Sequence, residues 1–207
     1  MILTFEMKEY TLGEGKLIYI PRWAADPDMV YREAKKLSFT PEIVSMYGKE
    51  NTIERQTVDY GLPYGYNKTA KPSVEWEELP AEIRKQLERQ LGITLPQCAG
   101  NRYATPSAYI GAHRDKSTLI GSERVEPRYI VALSLGSARK MVFIPKEVGM
   151  QAPTIESMSK LRDALVIELQ PGSLVIFSNA INQNWKHAVP IDKSASGERI
   201  SLTFRQF

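Results

Sequence analysis

Apolar and polar positions follow two different rhythms along the chain, and the change falls near residue 95. In the first part, "YTLGEGKLIYIP" sets short apolar stretches on both sides of a Gly-rich turn and predicts a hairpin of two short strands. "DPDMVYREAKKL" carries Val30, Ala34 and Leu37 on one stripe, with Asp26 as N-cap and Pro27 at the first helical position, and predicts a helix. Residues 40–78 keep no sustained period; Gly48, Gly61, Pro63, Gly65 and Pro72 divide them into short strands and loops. Leu79, Ile83, Leu87 and Leu91 then recur at intervals of four and predict a second helix, stopped by Gly92.

From Cys98 onward the rhythm is that of strands. "RYIVALSL", "KMVFIP", "LVIEL", "SLVIFS" and "RISLTFRQF" are short, rich in β-branched and aromatic residues, and bounded by turn signals such as the Pro-Gly of "QPGSLV". About seven or eight strands after a helical first half predict an α+β, mainly β chain, a sandwich or jelly roll beneath an N-terminal cover. No flexible linker separates the halves. Residues 1–207 therefore read as one domain, with an N-terminal extension over about 1–95 and the roll over about 96–207.

Composition changes this picture little. A length of 207 residues suffices for one substantial core. A net charge of +3 permits a polyanionic partner without demanding one, and "REAKK" and "EIRKQLER" read as solvated helix faces. Cys98 is the single cysteine, which rules out an internal disulfide and points to a reducing, intracellular home, cytoplasmic or nuclear. "MILTFEMKEY" holds Glu6 and Glu9 and no long apolar run, so neither a signal peptide nor a membrane partner is expected.

Candidate chemistry centres on the two histidines. Along a strand His113 and Asp115 share a face while Arg114 turns away, and His187 lies on a second strand in "NWKHAVP". Two histidines and a carboxylate are the donor set of non-haem Fe(II) oxygenases; zinc accepts the same set, although its helical hydrolase signature is absent. The last strand adds a second feature. Ile200, Leu202 and Phe204 take one face, and Arg199, Ser201, Thr203 and Arg205 take the other. Arg199 and Arg205 lie about 20 Å apart at roughly 3.3 Å per residue, so their side chains can lean toward a small dicarboxylate between them. The alternative is a sheet that presents this polar face to water.

"NRYATPSAYIGAHRDK", "LSLG", "QPGSLVIFSNAINQNWKHAVP" and "RISLTFRQF" together resemble the AlkB family of Fe(II)- and 2-oxoglutarate-dependent dioxygenases. Six elements stand in the family's order: Asn-x-Tyr, His-x-Asp, Ser-Leu-Gly, Gly-Ser-Leu, His-x-x-Pro and Arg-x-x-x-Thr-Phe-Arg. Upstream, "VSMYGKENTIERQTVDYG" and "LPYGY" are similar to the nucleotide-recognition part of the homologue 2 and 3 type of nucleic-acid demethylase. The resemblance implies a double-stranded β-helix, or jelly roll, beneath a helix- and hairpin-containing nucleotide-recognition lid. It implies His113, Asp115 and His187 as the catalytic iron ligands, and Asn101, Tyr103, Arg199, Thr203 and Arg205 as the 2-oxoglutarate contacts. With Fe(II), 2-oxoglutarate and O2, the implied reaction demethylates N-alkylated bases in DNA or RNA and releases formaldehyde, succinate and CO2.

The resemblance also implies a monomer that binds nucleic acid, DNA ahead of RNA, with its target base flipped out. Tyr66 would cover one face of the base and His113 the other; base stacking on an aromatic is worth about 1–3 kcal/mol. Met46, Tyr47, Gly48 and Lys49 match the segment that enters the stack, and Arg55, Tyr64 and Lys116 complete the implied substrate contacts. One departure stands out. Lys116 and Ser117 occupy the place of an acidic pair in the DNA-repairing members, and a lysine there disfavours a cationic base. An oxygenase acting on an unalkylated base, a nucleotide, a lipid or a protein is the alternative, and a non-catalytic binding module is a third.

Overall fold

The computed structural model describes residues 6–46, 49–63, 73–149 and 152–207, with the backbone alone for 43–46 and 49–51. The chain opens with a hairpin of β1 (Lys8–Leu12) and β2 (Gly15–Ile20), followed by α1 (Pro27–Ala34). A second hairpin, β3 (Thr40–Met46) and β4 (Lys49–Gly61), precedes α2 (Glu78–Leu91). Next come β5 (Gln97–Tyr103), β6 (Ile110–His113), β7 (Thr118–Ile120), β8 (Glu123–Val125), β9 (Tyr129–Gly136) and β10 (Arg139–Pro145). The remainder is α3 (Ile155–Met158), β11 (Leu165–Leu169), β12 (Leu174–Ser178), α4 (Asn179–Asn184), β13 (Trp185–Val189) and β14 (Arg199–Gln206).

Local chemistry explains where the helices begin and end. The Asp26 carboxylate accepts the Met29 amide at 2.9 Å and Pro27 supplies the first helical residue of α1. Gly92 closes α2 with a φ of 68°, and its amide returns to the Glu88 carbonyl. Residues 40–61 differ from the broken pattern expected of them: β4 is a continuous strand of 13 residues. Its period is hidden because one of its faces is polar and buried. Arg55, Thr57 and Asp59 line an internal cavity, whereas only Val58 and Tyr60 join the apolar core. A register shift between Pro41 and Glu42 blurs the pairing further.

Two antiparallel sheets build the jelly roll. The larger runs β1-β2-β12-β9-β14-β5-β4-β3 and the smaller β11-β10-β13-β6. Val131, Leu133, Ile200, Leu202 and Phe204 of the larger sheet pack beside Ala34 of α1 and Ile83 and Leu87 of α2. Ile130, Val175 and Phe177 of the same sheet pack with Met141, Phe143, Ile167 and Leu169 of the smaller one. β14 therefore splits as its alternation requires, with Ile200, Leu202 and Phe204 in the helix-covered core. Arg199, Ser201 and Arg205 are buried too, on the opposite face, which excludes a polar face turned to water. The pairing of β4 with β5 and of β2 with β12 carries the larger sheet across residue 95. Among the described residues, no helix is long and apolar enough to cross a membrane.

Candidate metal centre

His113 ends β6 and His187 lies in β13, and the two are direct partners across that strand pair. Directly opposed residues of an antiparallel pair project on the same side, so pairing alone brings the imidazoles together. Their ring centroids are 4.4 Å apart. Asp115, two residues past the end of β6, places Oδ1 3.6 Å from His113 Nε2 and 3.4 Å from His187 Nε2. One donor atom from each of the three lies within 4.8 Å of the others.

The surroundings prepare each donor. Gly111 presents its carbonyl to His113 Nδ1 at 2.9 Å, which fixes the ring with Nδ1–H on that carbonyl and Nε2 turned toward Asp115. His187 is buried, with Phe177 at 5.2 Å and Phe143 at 5.9 Å between ring centroids. Burial, and then the neighbouring His113, lower its pKa, so its lone pair is available at neutral pH. Burial pushes the Asp115 carboxyl up, but the Arg205 guanidinium and the two imidazoles outweigh it and hold the group well below the usual carboxylate range. The main chain of Asp115 is clamped as well. Its amide donates to Asn182 Oδ1 at 2.8 Å, and Asn182 Nδ2 donates to its carbonyl at 3.1 Å. Two imidazoles and an ionised carboxylate suit a divalent first-row metal with coordination positions to spare.

These residues face a cavity of about 100 Å³ between the sheets. Arg55, Thr57 and Asp59 of β4, Asn101 and Tyr103 of β5, and Arg199, Ser201, Thr203 and Arg205 of β14 line it. Arg205 sits at the metal end, donating Nε–H to Asp115 Oδ2 at 2.7 Å. Arg199 donates Nη2–H to Ser134 Oγ at 2.9 Å, and its guanidinium lies 5.1 Å from the Tyr103 ring centre. Its Nε and Nη1 are buried and find no acceptor among the described residues. Burial, with Arg139 nearby, brings the Arg199 pKa down to about 10, so the group stays charged at neutral pH. A buried, charged guanidinium with idle donors fits a carboxylate ligand. The cavity thus holds the His113–Asp115–His187 cluster at one end and the Arg199 guanidinium, with two idle donors, on its wall.

The expected substrate contacts fare differently. Arg55 is buried, paired with Glu42, and donates to Asn101 Oδ1 at 3.3 Å, so it belongs to the cavity wall. Met46 and Lys49 face each other in the β3–β4 register, with only their backbone described. Lys116 is exposed. Tyr47, Gly48, Tyr64 and Tyr66 lie outside the described residues. Two polar residues at the site, Asn182 and Gln97, were singled out by no motif, and Ser134 entered only as part of the Ser-Leu-Gly element. Each holds another residue in place, and no period or spacing marks such a role.

A family model described as the 2OG-Fe(II) oxygenase superfamily matches residues 28–205. The DNA oxidative demethylase ALKBH2 of Bos taurus is 27% identical over 207 residues, covering 96% of this chain and 68% of that protein. Its Homo sapiens counterpart is 28% identical over 190 residues, with 88% and 69% covered. The alpha-ketoglutarate-dependent dioxygenase alkB homolog 3 of Homo sapiens is 26% identical over 153 residues, 73% of this chain and 51% of that protein. Among solved structures, that of OsALKBH1 superposes with a TM-score of 0.61 at 18% identity, covering 98% of this chain and all of the other. An oxidoreductase of the 2OG-Fe(II) oxygenase family from Burkholderia pseudomallei gives 0.55 at 15% identity, with 91% and 84% covered. At such identities the two structures speak for the fold alone.

Proposed function

The chain belongs to the 2OG-Fe(II) oxygenase superfamily, and from that premise we propose that it demethylates N-alkylated bases in DNA or RNA. As a member it is an Fe(II)- and 2-oxoglutarate-dependent dioxygenase that consumes O2. In the proposed assignment His113, Asp115 and His187 hold the iron, which the mutual distances of their donor atoms support. Arg205 and Arg199 hold the 2-oxoglutarate, with Asn101, Tyr103 and Thr203 beside them in the cavity wall. Together the metal, the cosubstrate and O2 supply the oxidation of a C–H bond, leaving succinate and CO2. The residues of this chain fix the reacting partners and exclude others. Arg205 holds the carboxylate of Asp115 in place, the apolar rings of Phe143 and Phe177 shield His187, and the enclosing sheets keep bulk water out.

A hydroxylated N-methyl group collapses to formaldehyde and the unmethylated base, so oxidation alone completes the repair. The observation that carries the nucleic-acid reading is the reach of the similarity. Relatives named DNA oxidative demethylase match 96% of this chain, which takes in the β3–β4 hairpin beside the cavity. In this reading residues 1–95 form the extension and lid of a single domain and residues 96–207 its catalytic roll. Met46 to Lys49, Tyr64 and Tyr66 contact the nucleic acid, and the target base stacks between Tyr66 and His113. The protein works as a monomer inside the cell, in cytoplasm or nucleus.

A second reading keeps the oxygenase and changes the target. Lys116 is exposed next to Asp115, and Ser117 accepts a hydrogen bond from Arg124 at 2.6 Å, so the loop begins with a cation and no carboxylate directly after the metal ligand. Such a loop disfavours a cationic methylated base and favours a neutral base or another substrate. The deciding experiment incubates the Fe(II) enzyme with 2-oxoglutarate and methylated DNA and RNA oligonucleotides. Formaldehyde in step with succinate, and loss of one methyl mass from the base, support demethylation. Succinate with an added oxygen and no formaldehyde supports the second reading.

A further inference from the structure

Four buried side chains close a ring of hydrogen bonds that starts and ends at Asp115. Arg205, bonded to the Asp115 carboxylate through Nε, donates Nη1–H to Gln97 Oε1 at 3.2 Å. Gln97 is wholly buried, and its Nε2 donates to the carbonyls of Leu62 and Pro63, each at 2.9 Å. Thr118, also buried and three residues after Asp115, donates its hydroxyl to the same Pro63 carbonyl at 2.6 Å. The path leaves Asp115 through its carboxylate and returns to it through its main chain.

The orientation of the Gln97 amide is forced. A guanidinium only donates, so the atom facing Arg205 must be the oxygen, and the NH2 must be the group meeting the two carbonyls. No other side chain of this size accepts at one point and donates at two others. The frame around it is equally fixed. Gly61, Gln97 and Arg205 stand in one register line across β4, β5 and β14. Gly61 has a φ of 76°, and a Cβ there would come 2.1 Å from the Pro96 carbonyl oxygen. The Leu62 amide donates to that same oxygen at 3.0 Å, so the chain leaves β4 along one path.

We infer that Gln97 is a positioning residue that couples the Leu62–Pro63 peptide to the Asp115–Arg205 pair at the metal centre. The inference rests on the proposed function in one respect: Tyr64 and Tyr66, which follow Pro63, are the residues given there to the nucleic acid. Coupling of this kind is reciprocal. Metal and cosubstrate steady Leu62–Pro63, and a substrate held beyond Pro63 steadies Arg205. Turnover of 2-oxoglutarate without nucleic acid is thereby held low.

Two variants of the full chain test the coupling. Gln97→Met keeps the volume and loses all three hydrogen bonds, whereas Gln97→Glu keeps an acceptor for Arg205 and sets a carboxylate against two carbonyls. Hydrogen exchange at the Leu62 amide is followed with and without Mn(II) plus 2-oxoglutarate, and succinate release by the Fe(II) enzyme with and without methylated oligonucleotide. In the wild type, metal and cosubstrate slow Leu62 exchange by about fivefold, the worth of roughly one hydrogen bond. Both variants lose that slowing, and their substrate-free succinate release rises relative to the stimulated rate. Should the Met variant fail to fold, the Glu variant decides. Slowing that is absent in the wild type, or that persists in the variants, overturns the inference, because a purely structural glutamine alters melting temperature and leaves this response intact. If the slowing depends on Gln97 but no oligonucleotide stimulates succinate release, the coupling stands and the nucleic-acid reading fails.

Discussion

Arg205 Nε lies 2.7 Å from Asp115 Oδ2, and the two side chains are only 4% and 2% exposed. A charge pair this deep is most costly when half of it is removed, because the survivor stays buried and uncompensated. Asp115→Ala is therefore expected to cost the metal-free protein about 3–5 kcal/mol of folding stability. His113→Ala removes another of the proposed metal donors but no buried carboxylate, and its cost is expected to stay nearer 1 kcal/mol. Urea unfolding of both variants in the presence of a chelator checks the ranking, and equal midpoints would contradict it.

The same pair sets a pH dependence. The folded pKa of Asp115 is depressed, so the unfolded chain binds the proton more readily. Stability from this group is complete above the ordinary aspartate value of about 3.9 and is lost as pH falls through the lower folded value. Metal-free wild type is thus expected to lose stability steeply on acidification. Asp115→Asn, less stable throughout, is expected to show a shallower acid limb. Thermal melts of both proteins from neutral pH downward measure the two slopes.

Arg199 makes a separable prediction. In the proposed assignment its idle Nε and Nη1 are offered to the far carboxylate, and among the described residues its side-chain hydrogen bond is to Ser134. Arg199→Lys keeps a charge but not the planar fork, and Arg199→Ala keeps neither. Affinity for 2-oxoglutarate is expected to fall about tenfold for Lys and about a hundredfold for Ala, in line with the loss of one or two charge-assisted hydrogen bonds. Metal affinity is expected to hold. Isothermal titration with Mn(II) first, then 2-oxoglutarate, separates the two.

How far the sequence announced this site depends on what each residue does. His113, Asp115 and His187 were legible because strand alternation and a scarce residue type pointed the same way, and the β6–β13 register then made them neighbours. The polar face of β14 was legible as a face, but whether it met water or a ligand was not. That depended on the smaller sheet lying opposite, a tertiary fact. β4 was missed because its inward residues are polar, which removes the alternation that betrays a half-buried strand. Asn182 and Gln97 were invisible for a related reason. Each acts on a residue far away in sequence through one or two hydrogen bonds, and no local rule records a partner 67 or 108 residues distant.

Asn182 carries the last prediction. It is buried on α4 and meets both main-chain groups of Asp115, one through its oxygen and one through its NH2. Since the Asp115 peptide fixes where the carboxylate stands, loosening it should weaken metal binding although Asn182 touches no metal donor itself. Outer residues that orient ligands are worth about 10–100-fold in metal affinity, and Asn182→Ala is expected to fall in that range. Asn182→Asp should be worse than a simple loss. Its second oxygen would oppose the Asp115 carbonyl, where the native amide donates. Asn182→Ser, which can still accept from the Asp115 amide through water, should recover part of the loss. Mn(II) titration of the three variants beside their melting temperatures checks this order. Metal affinities that follow melting temperature alone would assign Asn182 to the scaffold and leave the placement of Asp115 to its own loop.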